Sequence, residues 1–299
     1  MATTNDEDIE EYSTPTYENE KLEILIRKMR LCKSATFYVN TISNDDIKLI
    51  ADELRTNRIW NSLRIIGQNL VDEDGVQYLF EALATNTAVK ALHLGGDSLG
   101  DRRVTLFMNS LVSNTTITDL NLTDNQITEI GAQAISEMLR ANSTVINLML
   151  NGNPVLDTGI TLIAHALQHN RTLTTLKIGR TCMTDVGAEE LASMIRSNTT
   201  LKMLSLDYNQ IGDKGMEAIC IALKENQVLQ CIDIRQNQIS DKSIDNIVAM
   251  IQNNRSLNRL DLARNQLSDQ GKEAIRQLKK DCFCSHMRFY RHNMCGPDL

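Results

Sequence analysis

No stretch of this 299-residue chain approaches the roughly 18 consecutive apolar residues that a helix needs to cross a bilayer, so no membrane role is expected. The first twenty residues contain no lysine or arginine, whereas secretory and mitochondrial leaders are built on positive charge. A cytoplasmic location follows as the expectation. Cysteines number only 7, an odd count over a long chain. That does not fit the disulfide frame of a small secreted domain, and it predicts free thiols. There is also no phosphate-binding glycine loop, no strand-elbow serine motif and no metalloprotease His-Glu signature. Neither an enzyme nor a cofactor is expected.

Charge is scarce in one sense only. The chain has 31 Lys plus Arg against 38 Asp plus Glu, a formal net charge of -7. Seven acids in the head, Asp6, Glu7, Asp8, Glu10, Glu11, Glu18 and Glu20, account for all of it. From Lys21 onward the balance is neutral, which excludes the basic surplus that a nucleic-acid binder carries. Residues 1–20 read as an acidic flexible tail that aids solubility, with a partner-binding strip as the other reading.

What the sequence does have is repetition. Segments opening at Val89, Ile117, Val145, Leu173, Leu201, Leu229 and Leu257 are spaced by 28 residues. They share the pattern L-x-x-L-x-L-x-x-N-x-I-x-D-x-G-x-x-x-I-x-x-x-L-x-x-N-x-T. Two divergent copies precede them, one at Trp60 that is one residue longer and one near Cys32, giving about nine repeats.

Each column has a physical reading. Leu201, Leu204 and Leu206 alternate as a short strand does. The ninth position, Asn125, Asn153, Asn209, Asn237 and Asn265, predicts a polar ladder satisfying loop backbone groups. Acids at the thirteenth position, such as Asp157, Asp185 and Asp213, predict helix starts. At the twenty-sixth position Asn recurs from Asn57 to Asn254, which suggests helix-ending residues in the left-handed region. Glycines at the fifteenth position, such as Gly131 and Gly187, predict crowding of the helix against the strand layer.

The pattern resembles a leucine-rich repeat protein of the ribonuclease-inhibitor-like subtype over residues 32–280. That resemblance implies an α/β fold: a right-handed leucine-rich repeat solenoid, or horseshoe, with a concave parallel β-sheet and convex α-helices. Geometry points the same way, because strands stack about 4.8 Å apart while helices need 8 to 10 Å, so the stack bends toward the sheet. Residues 21–31, with Leu22, Leu25, Ile26 and Met29 on one face, are the expected N-terminal cap helix. Residues 281–299, rich in apolar bulk at Phe283, Met287, Phe289 and Tyr290, are the expected C-terminal cap. In that tail Cys282, Cys284, His286, His292 and Cys295 supply enough soft ligands for zinc, yet without paired C-x-x-C spacing. A structural cap with surface thiols is the preferred reading, and no metal is assigned.

The informative surface is the inner wall. Its middle column reads His93, Asn121, Met149, Lys177, Ser205, Asp233 and Asp261, with no one charge or amide kept along the column. Variation on a fixed scaffold is what recognition of a folded partner needs. Tyr208 is the only aromatic residue between Ile117 and Gln277. Around it lie Lys177, Arg180, Met203, Asp207, Asp233, Arg235, Arg259, Asp261 and Arg264, which form the candidate partner-binding set. Met203 with Ile146 and Met149 adds apolar area. The bland reading is a set of solvated rungs joined by pairs such as Lys177 with Asp207 or Asp233 with Arg259.

The expected function is a noncatalytic protein-protein interaction module, monomeric, binding a protein partner through the concave face, with no nucleic acid and no membrane. The resemblance supports two alternatives. A chain similar in repeat type and size to the Ran GTPase-activating protein implies a regulator of a small GTPase. Similarity to bacterial effectors implies action on a host protein in the host cell cytoplasm. Ribonuclease inhibition fits poorly, because Trp60 is the only tryptophan and that inhibitor's inner wall is tryptophan-bearing.

Overall fold

The computed structural model describes residues 19–38, 43–66, 73–96, 99–281 and 288–289. The candidate zinc ligands Cys282, Cys284, His286, His292 and Cys295, residues 1–18 of the acidic head and most of the expected C-terminal cap 281–299 lie outside them.

Strands and helices alternate along the chain. Helix α1 (Asn19–Met29) precedes β1 (Ser34–Tyr38), α2 (Asn44–Thr56), β2 (Ser62–Ile66), α3 (Glu73–Thr85) and β3 (Ala91–Gly95). Then come α4 (Gly100–Leu111), β4 (Asp119–Asn121), α5 (Glu129–Ala141), β5 (Asn147–Met149) and α6 (Leu156–Leu167). The second half continues with β6 (Thr175–Lys177), α7 (Asp185–Ser197), β7 (Met203–Ser205), α8 (Asp213–Glu225) and β8 (Cys231–Asp233). A 3-10 turn (Asp241–Ser243), α9 (Ile244–Asn253), β9 (Arg259–Asp261), α10 (Asp269–Asp281) and β10 (Arg288–Phe289) close it.

The ten strands among the described residues form one parallel sheet in sequence order. The register reproduces the sequence period. Ser34 faces Ser62, and from Ala91 with Asp119 to Cys231 with Arg259 each partner lies 28 residues on. Between β2 and β3 the step is one residue longer, Ser62 facing Ala91, as the divergent copy at Trp60 requires. This is the α/β repeat solenoid, with helices on the side of the sheet away from the inner wall.

The core is a stack of identical layers. Leu120, Leu148, Leu176, Leu204, Ile232 and Leu260 occupy the same register position and are all buried. The first rungs add aromatic bulk: Phe37 meets Trp60 edge-on at 5.8 Å, and Phe80 stacks on Phe107 at 4.5 Å. Helix α1 buries Leu22 and Ile26 in this core, and the Trp60 indole donates to the Met29 carbonyl at 2.9 Å.

The asparagine columns differ in part from expectation. The ninth-position ladder is present: Asn153 accepts from the Asn125 and Ile127 amides and donates to the Leu122 and Leu150 carbonyls. The twenty-sixth-position residues, however, are extended and not left-handed. Asn142, for example, has φ -83 and ψ 134. Its side chain explains its selection. It donates to the carbonyls of Leu111 and Asn114 in the preceding repeat and accepts from the Thr144 amide of its own and the Val145 amide that opens the next. One buried amide thus satisfies four backbone groups that neither helix nor sheet reaches.

The glycine column also has a different cause. A Cβ on Gly131, Gly187 or Gly215 would lie 2.7 Å from a carboxylate oxygen of Asp101, Asp157 or Asp185. Those acids start their own helices, yet each reaches into the next repeat. Asp157 accepts from the Thr184 amide and hydroxyl and from the Gly187 amide. The crowding is therefore between successive helix starts. Helix α6 shows the exception: Glu129 stands in the acid column before it, and Val155 gives it no side-chain cap.

Candidate functional site

The inner wall of the last four complete rungs is set by β6, β7, β8 and β9 and the loop that follows each. In every described rung from β3 onward, the second residue after the strand segment L-x-L turns left-handed. Gly96 and Gly152 take φ 95 and 72, while Asp124, Arg180, Tyr208, Gln236 and Arg264 take φ between 54 and 58. This column was missed in the sequence, although glycine at Gly96 and Gly152 is its visible signal.

Left-handed backbone aims these side chains along the rim, where they meet. The Arg180 guanidinium lies 4.5 Å over the Tyr208 ring, and Arg264 Nη1 donates to the Tyr208 hydroxyl at 3.3 Å. Gln236 stands between Tyr208 and Arg264 in the column. Its Oε1 is buried and has no hydrogen-bond partner among the described residues. Arg180 and Arg264 are both exposed.

The remaining candidates fall into two groups. Asp233 and Asp261 face each other in register on β8 and β9, and both are buried, at 8% and 4% exposure. They are therefore not free wall groups. Asp233 pairs with Arg235 at 2.9 Å and accepts its amide, and Asp261 accepts the Ala263 amide. Burial pushes the Asp233 carboxyl up from 3.8 to about 6, with the Asp207 and Asp261 charges adding to the rise and Arg235 opposing it. Arg259 opens β9 beside Cys231.

The second group lies nearer the start of these strands and their loops. Met203 on β7 is 36% exposed and Ile146, two rungs away before β5, is 39% exposed. The Lys177–Asp207 pair of the solvated-rung reading does not form. Asp207 instead accepts from the Ser205 hydroxyl at 2.6 Å and lies where a Cβ on Gly179 would sit.

Charge on this wall is lopsided. Lys177, Arg180, Lys202, Arg235, Arg259 and Arg264 oppose only Asp207, Asp233 and Asp261, in a chain whose net charge is -7. On the three rungs before, Lys90 opposes Asp119 and Asp124. No group of three or more His, Cys, Asp or Glu among the described residues is placed to hold a metal ion. The described cysteines Cys32, Cys182 and Cys220 are free thiols.

The TMOD/LMOD leucine-rich domain model matches residues 153–278, and the leucine-rich repeat model matches residues 113–136. This is a leucine-rich repeat protein. Among solved structures, the repeat protein is similar to the "Leiomodin-1 Actin-Binding Site 2 (ABS2)", at 18% identity and TM-score 0.42, over 50% of this chain and 87% of that one. It is also similar to the tropomodulin C-terminal domain from Caenorhabditis elegans, at 13% identity and TM-score 0.43, over 50% of this chain and 91% of that one. No curated protein matches it. No helix among the described residues is long and apolar enough to cross a membrane.

Proposed function

We propose that this leucine-rich repeat protein is a noncatalytic interaction module that docks a folded protein partner on the inner wall of rungs β6 to β9. The observation that carries this reading is the linked row Arg180, Tyr208 and Arg264. The three side chains are exposed or half-exposed, hold one another in place, and make no contribution to the layered core. Arginine and tyrosine bring large contact area with fixed polar ends, and prior ordering lowers the entropy lost on binding. Met203 and, two rungs away, Ile146 supply exposed apolar area to go with this polar row.

The test is affinity capture from lysate with the full chain, comparing wild type with Tyr208→Gly plus Arg264→Ala. Glycine keeps the left-handed backbone, and Arg264 is exposed, so the fold is retained. Arg235 is left intact because removing it would strand the buried Asp233. Loss of a specifically captured protein from the variant supports the reading, and unchanged capture of every protein rejects it. Purified actin, for which the leiomodin-1 site is named, is a separate arm of the same experiment.

A further inference from the structure

The left-handed column divides the solenoid in two. Its earlier rungs hold Gly96, Asp124 and Gly152, residue types that accept such backbone at low cost. Its later rungs hold Arg180, Tyr208, Gln236 and Arg264. A bulky residue there costs about 1–2 kcal/mol that glycine would avoid. The core gains nothing from these side chains, which point along the rim. Strain kept at four successive rungs, where the side chains of Arg180, Tyr208 and Arg264 touch, is strain tied to a surface task.

The chemistry of the row is specific. A guanidinium lying flat on an aromatic ring keeps its N–H edge free for two parallel bonds to a carboxylate. Arg180 is in that state over Tyr208, and Arg264 is held at the tyrosine's other end. The acids of this wall are already engaged: Asp207 with Ser205, Asp233 with Arg235 and Asp261 with the Ala263 amide. Gln236 Oε1, buried without a hydrogen-bond partner among the described residues, asks for a donor. A peptide backbone carries an N–H at nearly every residue, whereas a phosphodiester backbone carries none.

We propose that the Arg180–Tyr208–Gln236–Arg264 row receives an acidic peptide segment of the partner protein. Its carboxylates pair with the two arginines, and its backbone N–H meets Gln236. The proposal rests on the docking reading above and adds the partner's chemistry. Four rungs at about 4.8 Å spacing span roughly 15 Å, which about five extended residues cover.

The probe is a labelled oligoglutamate of about ten residues, measured by fluorescence anisotropy against the full chain, with oligolysine and single-stranded oligothymidylate of equal length as controls. Oligoglutamate is expected to bind, and to weaken by about tenfold or more in the Arg180→Glu plus Arg264→Glu variant and at raised salt. Oligolysine and oligothymidylate are expected not to bind. Equal binding of oligoglutamate to the variant, or oligothymidylate binding as tightly as oligoglutamate, overturns the proposal. Lysate capture separates the two levels. If a protein is captured by wild type and lost from Tyr208→Gly plus Arg264→Ala while oligoglutamate does not bind wild type, docking stands and the acidic segment is rejected. If capture is also unchanged, both fail. Melting temperatures of the variants equal to wild type show that the fold is retained.

Discussion

Asp185 and Gly215 belong to successive repeats, yet the Asp185 carboxylate accepts the Gly215 amide at 3.0 Å and fills the space that a Cβ on Gly215 would need. The same oxygen accepts the Gly212 amide, so one acid caps the start of α8 from outside it. Each repeat thereby fixes where the next helix begins, which is how local sequence becomes the coupling between neighbours in a stacked array.

This relationship predicts a non-additive pair. Gly215→Ala places a Cβ against Asp185, Ala188 and Ile211 and is expected to cost about 1–3 kcal/mol. Asp185→Ala loses a cap and is expected to cost about 1 kcal/mol. Because the two changes compete for one space, the double variant should be more stable than the sum of the singles. Urea denaturation of all four proteins measures the coupling; strict additivity would show that the carboxylate and the glycine are independent.

The buried asparagine at each helix end should be the costliest polar residue to remove. Asn142→Ala strands the Asn114 carbonyl and the Thr144 and Val145 amides, and leaves the Leu111 carbonyl only the Asn114 amide. A loss of about 2–5 kcal/mol is expected, against under about 1 kcal/mol for alanine at exposed Asn253 on the same solenoid. Asn142→Asp keeps the acceptor and loses the donor, and should not restore stability. Thermal melts rank the three.

The raised Asp233 carboxyl gives a pH signature. Its folded value of about 6 lies above its ordinary 3.8, so the folded state holds this proton more tightly than the unfolded chain. Stability from this group is full below about pH 4, is lost as pH rises toward 6, and is flat beyond. Asp241 titrates below this window, because the Ser268 hydroxyl and amide hold it down. Wild type minus Asp233→Asn in urea, from about pH 4 to about pH 7, should show wild type losing roughly 1–3 kcal/mol relative to the variant. A flat difference would mean that the carboxyl is not buried as described.

The left-handed column can be tested on stability alone. Tyr208→Gly should leave stability within about 1 kcal/mol of wild type, because relief of backbone strain offsets the lost contacts and the added chain entropy. Tyr208→Val should cost more, since a β-branched residue fits left-handed backbone poorly. Equal stability of the two variants would place the strain elsewhere.

The fold was legible because its signals repeat: a leucine or isoleucine at the centre of each strand from β4 to β9 and an asparagine after each helix from α2 to α9 leave little else to build. Even the extra residue at the Trp60 copy appears in the register as Ser62 facing Ala91. What was not legible crosses repeats. Asp185 reads as a local helix start, and only the stacked structure turns its carboxylate toward Gly215. Likewise Asp233 and Asp261 occupy solvent-facing columns in the pattern, yet lie buried against each other in register, with Arg235 closing over Asp233. Tyr208 stood out as a lone aromatic; its arginine bracket required the left-handed loop, which glycine in two rungs hinted at and arginine in others concealed.

Hydrogen–deuterium exchange of the full chain, alone and with a captured partner, tests the docking account most directly. The account predicts added protection in the strand-to-loop segments 175–182, 203–210, 231–238 and 259–266, with the outer faces of α6 to α9 unchanged. Protection confined to those helices, with the four loops exchanging as in the free chain, would contradict it.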